Sequence, residues 1–200
     1  MKLTNQIKKG AISTAAIILI AIIGIVAILG LSAVGTYNGL VTSREAVTTE
    51  AANIDTYLQR RADLIPNLIN TVKGFTSHEN EIIDKITSAR ENLLNANTTE
   101  EKLAANNELT KDLNALMVIV ENYPDIKSSE NFIALQDELS GTENRIATAR
   151  KDYNEAAKSY NIKLQSFPTN IIAGMFNFEK VDYFEADESS KDVPVVDFSN

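Results

Sequence analysis

Apolar and small residues fill positions 11–34 without interruption, and no charged side chain occurs among them. A helix of about 20 apolar residues crosses the hydrocarbon core of a bilayer. The pattern therefore predicts an N-terminal transmembrane helix. A cleaved signal peptide is the alternative, because Ala33-Val34-Gly35 offers small residues for a cleavage site. The apolar core of a signal peptide spans only about 7 to 15 residues, which favours a retained anchor.

The charges that flank this segment predict its orientation. Lys2, Lys8 and Lys9 precede it, whereas the first basic residue after it is Arg44. Because basic flanks remain in the cytoplasm, we expect residues 1–10 to be cytoplasmic and the rest of the chain to lie outside.

After position 36 the apolar residues recur at alternating spacings of three and four, which is typical of amphipathic helices. Arg44 and Arg61 occupy two positions of this stripe. Its apolar members are Tyr37, Leu40, Val47, Ala51, Ile54, Leu58, Ile65, Leu68, Val72 and Phe75. The stripe continues through Pro66, which favours a kink within one helix. The alternative is a break in which Asp63 is the N-cap of a new helix. It gives four helices over 37–61, 66–96, 99–123 and 128–165, of which the first three have similar lengths.

Local signals place the later helix ends. Thr98 or Thr99 is expected to cap a helix whose first turn is acidic, and Pro124 is expected to end it. Ser128 or Ser129 then begins the most regular stripe of the chain. This stripe contains Phe132, Leu135, Leu139, Thr142, Ile146, Ala149, Tyr153, Ala156, Tyr160, Leu164 and Phe167.

The end of the chain divides into an apolar piece and an acidic tail. We expect residues 170–184 to pack back on the helices rather than to contact a membrane surface, since the piece lacks a basic flank. Residues 185–200 are acidic and poor in large apolar side chains, which predicts a disordered tail.

Charge and composition exclude several functions. The chain has 200 residues and a net charge of −8, which disfavours nucleic acid and anionic lipid surfaces as partners. It has no cysteine, so neither disulfides nor thiol catalysis can occur. His78 is its one histidine, and Phe75 stands where a Glu-x-x-His metal motif requires glutamate. We therefore expect no metal, no cofactor, no catalytic residue and no enzymatic activity.

A set of charged residues lies on or beside the apolar stripes and is the candidate polar network. Its members are Arg61, Asp63, Glu79, Arg90, Glu121, Glu143 and Arg150. Tyr153-Asn154 and Tyr160-Asn161 repeat at a seven-residue interval on one face of the last helix. We interpret these groups as ion pairs and an amide ladder that fix helix register. A ligand pocket or a polar groove for a partner is the alternative.

Several ordered motifs resemble the bacterial LemA family over nearly the whole chain. They are Tyr37-Asn38, Arg60-Arg61-x-Asp63-Leu64-Ile65-Pro66-Asn67-Leu68, Val72-Lys73-Gly74-Phe75, His78-Glu79, Ala89-Arg90, Glu121-x-Tyr123-Pro124, Arg145-Ile146-Ala147-x-Ala149-Arg150-x-x-Tyr153-Asn154, Tyr160-Asn161 and Phe167-Pro168. The resemblance implies an all-α, single-pass membrane protein whose residues 36–184 form an up-and-down antiparallel four-helix bundle. It transfers no catalytic or ligand-binding residue to this chain.

These observations predict a membrane-anchored scaffold of the bacterial cell envelope. Residues 11–34 would contact lipid, and the helical domain would recruit protein partners, with a homo-oligomer compatible with the sequence. A regulatory adaptor for a membrane protease or an envelope stress response is the second hypothesis. A hydrolase is the third, and a deep pocket lined by Arg61, Glu121 and Arg150 would support it.

Overall fold

A computed structural model describes residues 14–75 and 79–185 of the chain. The predictions for residues 1–10, for His78 and for the tail after Glu185 lie outside these ranges. Within them the protein is all-helical, as the sequence predicts, and has no strand. The helices are α1 (Thr14–Lys73), α2 (Asn80–Asn95), α3 (Thr99–Val120), α4 (Pro124–Lys127), α5 (Glu130–Gln165) and α6 (Thr169–Met175).

Helix α1 contains both the apolar segment and the first stripe of the domain in one continuous element. Its 60 residues correspond to a length of about 90 Å. The large apolar side chains between Ile17 and Val34 are exposed, and among the described helices α1 is long and apolar enough to cross a membrane. From Leu40 to Val72, by contrast, one face of α1 is buried against other helices.

Pro66 does not break α1. The prediction of four helices divided at this proline is therefore wrong, and the prediction of one continuous helix is confirmed. Proline has no backbone N–H, and its presence leaves the carbonyl of Ala62 without its usual partner one turn later. The side chain of Arg90 in α2 supplies the missing donor, with Nε 2.8 Å from the Ala62 oxygen. Helix α1 ends only at Lys73, before Gly74, which is a poor helix former.

Replacing Arg90 by Ala is expected to lower the free energy of unfolding by about 1.5 kcal/mol, because the Ala62 carbonyl then loses its donor. In a Pro66→Ala background the same replacement should have a smaller effect, since alanine restores the backbone N–H at that position. Urea denaturation of the full chain in detergent micelles measures both values. Arg145→Ala, at an exposed arginine of α5, is the matched control. Equal losses in the two backgrounds would show that Arg90 does not act through the Ala62 carbonyl.

Helices α2 and α3 form a hairpin that covers only part of α1. Thr98 caps α3, one of the two caps that the sequence predicts, and it forms a capping box with Glu101. Lys102 at the start of α3 forms an ion pair with Asp55 of α1 at 2.8 Å. At the other end of the hairpin, the Tyr123 hydroxyl donates to Glu79 at 2.7 Å. The hairpin therefore lies beside the second half of α1, far from the apolar segment.

Helix α5 returns antiparallel to α1 and extends past the hairpin toward the apolar segment. Arg60 of α1 pairs with Glu138 near the start of α5, and Ser43 accepts a hydrogen bond from Lys163 near its end. Helix α6 then packs against both α1 and α5.

The packing produces two groups of buried residues along α1. The distal core lies where α1, α2, α3 and α5 meet, and it includes Ile65, Ile86, Leu109 and Ile146. The proximal core lies between α1, α5 and α6 and consists of Leu40, Val47, Tyr160 and Ala173. Only α1 and α5 contribute to both groups, so these two helices connect the distal core to the end of the domain nearest the apolar segment.

Candidate functional site

Arg61 is the most deeply buried charged residue of the predicted network. It lies on the buried face of α1 between Leu58 and Ile65, and only 4% of its surface is exposed. Its Nη1 atom donates to Asn106 of α3 at 2.7 Å and forms an ion pair with Glu143 of α5. One guanidinium therefore connects three helices, an arrangement in which a polar residue on an apolar stripe can fix helix register.

Burial and charge act on Arg61 in opposite directions. Burial lowers the pKa of its guanidinium, whereas the negative charge of Glu143 raises it. An arginine side chain remains protonated in proteins, so the site holds a permanent positive charge. Glu143 is itself partly exposed and reaches this charge from the solvent side. Among the described side chains, Arg61 Nε and Asp55 Oδ1 are buried without a hydrogen-bond partner.

A polar crevice opens above this ion pair, between α3 and α5. Its volume is about 300 Å³. Helix α3 contributes Thr110, Leu113, Asn114 and Met117, helix α5 contributes Gln136, Leu139, Ser140, Glu143 and Asn144, and helix α1 contributes Arg61. Amide and hydroxyl groups can exchange hydrogen bonds with a polar partner. No group of three acidic or histidine side chains that could hold a metal occurs in the described ranges.

The other members of the predicted network lie at separate places. Asp63 accepts a hydrogen bond from Gln59 on the surface of α1. Glu121 pairs with Lys127 at the turn between α3 and α4. Arg150 donates to the carbonyl of Glu185, and it does not line the crevice that contains Arg61. The pocket of Arg61, Glu121 and Arg150 that would support a hydrolase is therefore not formed.

The two Tyr-Asn pairs of α5 hold the segment that follows α6, here called the C-terminal strap (residues 176–185). Asn161 donates to the Val181 carbonyl at 2.8 Å and accepts from the Val181 N–H at 3.1 Å. Asn154 makes the same two hydrogen bonds with Phe184, both at 2.9 Å. Each asparagine amide therefore bonds both the N–H and the carbonyl of one strap residue, as the backbone of a neighbouring β-strand would.

The tyrosines of the same pairs complete this ladder. Tyr160 donates to the carbonyl of Glu179 at 2.8 Å, and Tyr153 donates to that of Asp182 at 3.1 Å. Burial raises the pKa of both phenols, and a protonated phenol is the form that can donate. The strap is thereby held along α5 through its backbone, and the predicted packing of residues 170–184 against the helices is confirmed for Phe178, Val181 and Phe184.

Sequence reasoning missed Asn106, which completes the Arg61 cluster and is 2% exposed. A signal for it exists, because Asn106 lies between Leu103 and Leu109 on the apolar stripe of α3, as Arg61 does on that of α1. The Tyr-Asn repeat that predicted an amide ladder lies in α5, but no feature of the sequence indicated that this ladder binds the strap.

The fold and these clusters define a class: an all-helical domain built on a long N-terminal helix that could span a membrane, with polar clusters that bind other parts of the chain. The model of the LemA family matches residues 50–198. The chain therefore belongs to the LemA family.

Individual relatives agree with this assignment. The chain is 30% identical to Magnetosome protein MamQ 2 of Paramagnetospirillum magneticum over 186 residues, covering 80% of this chain and 68% of that protein. It is 28% identical to Protein LemA of Metamycoplasma hominis over 156 residues, covering 78% of this chain and 71% of the relative.

Proposed function

We propose that this protein is a single-pass, membrane-anchored scaffold that presents its helical domain outside the cytoplasm and acts by binding envelope proteins. In this proposal residues 11–34 span the membrane, and α1, α2, α3 and α5 are the columns of an up-and-down bundle. The single observation that carries the proposal is the continuity of α1 from the apolar segment into the distal core. Such a helix couples the position of the domain directly to the bilayer.

The side-chain chemistry supports binding rather than catalysis. The charged groups of the crevice bind each other, since Arg61 pairs with Glu143. The name of the relative MamQ assigns it to a cellular structure, the magnetosome, and not to a reaction. By analogy, we propose that this chain also works within an assembly, with the crevice between α3 and α5 as its binding face.

Photo-crosslinking in intact cells tests this proposal. A photo-reactive amino acid at Gln136, on the crevice, is expected to give discrete adducts with envelope proteins. The neighbouring residue Asp137 is also exposed but does not line the crevice, so it is the matched control and should give fewer adducts. On sealed cells, added protease should also remove a C-terminal tag, because the domain faces outward.

Two results would contradict the scaffold. The first is recovery of the chain as a released protein that does not float with membranes in a density gradient. The second is the absence of adducts from Gln136 together with turnover of a substrate by the purified full chain, which would favour the hydrolase. A protease as the sole stoichiometric partner would replace the scaffold by the adaptor hypothesis.

A further inference from the structure

Large apolar side chains are concentrated on the surface at one end of the domain, around the corner between α5 and α6. Phe167 at this corner is 81% exposed, although the sequence stripe predicted it to be buried. Ile162, Ile171, Met175 and Phe176 are also more than half exposed. Only part of the apolar piece therefore packs inward, through Ala173, Phe178, Val181 and Phe184, and Phe167, Ile171 and Met175 remain exposed on the surface.

The fold places this apolar surface beside the end of the apolar segment. Lys163 donates to Ser43 of α1 at 2.6 Å, and α5 turns into α6 a few residues later. The ring of Phe176 then contacts that of Tyr37, with 4.8 Å between their centroids. Tyr37 follows Val34 by three residues, which corresponds to about 4.5 Å along the helix axis. Phe176 is thus held close to the last residue of the apolar segment.

The position of Tyr37 and Phe176 along the axis of α1 coincides with the headgroup layer of a bilayer. The layer is about 5 to 8 Å thick on each side, given a hydrocarbon core of about 30 Å and a total of about 40 to 45 Å. Aromatic side chains concentrate at this level in membrane proteins. Tyr37 and Phe176 therefore lie where the interfacial aromatic residues of a single-pass protein belong.

The charges around the corner also fit a lipid surface. Residues 166–178 contain no charged side chain, although 23% of the chain is charged. Lys163 precedes this stretch, and Glu179 and Lys180 follow it. Arg44 and Glu45 together line a crevice with Tyr37 and Phe176.

We infer that the α5–α6 corner and α6 form a second membrane contact, seated in the headgroup layer of the bilayer that α1 crosses. The partner is the lipid surface, and the inserted side chains are Phe167, Ile171, Met175 and Phe176. This inference rests on the proposed membrane anchor. Together the two contacts hold the domain in one orientation against the membrane, because a single helix leaves rotation and tilt free whereas a second contact does not.

The chain has no tryptophan, so variants of the full protein with a single tryptophan report the depth of one position at a time. Phe167→Trp places the reporter on the corner. Val118→Trp is the matched control, since Val118 is 71% exposed but lies on α3 near the distal end of the domain. Ile28→Trp lies within the apolar segment and reports on the anchor itself. Each variant is reconstituted in phosphatidylcholine–phosphatidylglycerol vesicles, with or without lipids brominated near the top of their acyl chains.

We expect brominated lipid to quench the fluorescence of the anchor variant Ile28→Trp and of the corner variant Phe167→Trp, and to leave the control Val118→Trp unchanged. The fluorescence emission of the corner variant Phe167→Trp should also be blue-shifted relative to that of the control Val118→Trp, because its indole leaves water.

Each other outcome contradicts a particular part of the account. Quenching of the anchor variant alone would overturn the second contact and leave the anchor intact. Absence of quenching in both the anchor and the corner variants would overturn the anchor as well. Quenching in all three variants would show that the domain lies flat on the membrane, which contradicts an end-on contact. A corner variant that is shielded from aqueous acrylamide but not quenched by brominated lipid would place a second copy or another protein there instead.

Discussion

Replacing Glu143 by Leu is expected to lower the free energy of unfolding by about 3 kcal/mol, because Arg61 is then left buried with an uncompensated charge. Asn106 remains as an acceptor, but a neutral amide does not balance the guanidinium. Urea denaturation of the full chain in detergent micelles measures the loss.

The neighbouring ion pair between Arg60 and Glu138 is a matched control. It joins the same two helices, but both of its side chains are about half exposed. Glu138→Leu should therefore change the unfolding free energy by less than about 1 kcal/mol. The double replacement Arg61→Met with Glu143→Leu should recover part of the loss, since the buried charge is removed whereas the buried Asn106 loses its donor. Unchanged stability of Glu143→Leu, together with loss of the Gln136 adducts, would show that this pair serves a partner and not the fold.

Replacing Asn161 by Ala is expected to release the C-terminal strap locally and to destabilise its docked state by about 2 kcal/mol, because two backbone groups of Val181 lose their partner. Hydrogen exchange of the Val181 amide should then accelerate about thirtyfold, at about 1.4 kcal/mol for each factor of ten. Amides of the distal core, such as that of Leu109, should keep their exchange rates, since the Asn161 side chain makes its hydrogen bonds to the strap and not to this core.

Asn154→Ala and Asn144→Ala complete this test. Asn154→Ala should have its largest effect on the amide of Phe184, which bonds to the Asn154 side chain. Asn144 lies exposed on the same helix and is the control, for which no change is expected in the strap. Exchange at Val181 that is equally slow in all three variants would contradict the ladder and leave ring packing, such as that of Tyr153 on Phe184, as the force that holds the strap.

The sequence predicts those parts of the fold that depend on short-range patterns. The spacing of apolar residues predicted the all-helical class and the buried face of α1, and a threonine before an acidic first turn predicted the start of α3. The role of Pro66 could not be decided in this way. Its effect depends on Arg90, whose position opposite Ala62 is set by the turn after Lys73 and by the packing of α2.

The candidate site shows the same division. The position of Arg61 on an apolar stripe marked it as a polar group held within the core, but the stripe did not identify Asn106 and Glu143 as its partners. The Tyr-Asn repeat predicted one polar face of α5 and not the strap that covers it. The exposure of Phe167 was also missed, because helical spacing reports which residues share a face and not whether a neighbouring helix covers that face.

One uninterrupted helix, α1, joins the apolar segment to the distal core. The chain has no cysteine, so the double variant Asn38→Cys with Asn70→Cys carries one pair of spin labels. Both positions are exposed on α1 near opposite ends of the domain, and Pro66 lies between them. Pulsed electron–electron double resonance on the full chain in lipid nanodiscs should give one narrow distribution near about 48 Å, from a rise of roughly 1.5 Å per residue. A broad distribution, or one centred well below this distance, would show a hinge or a break and would contradict the account.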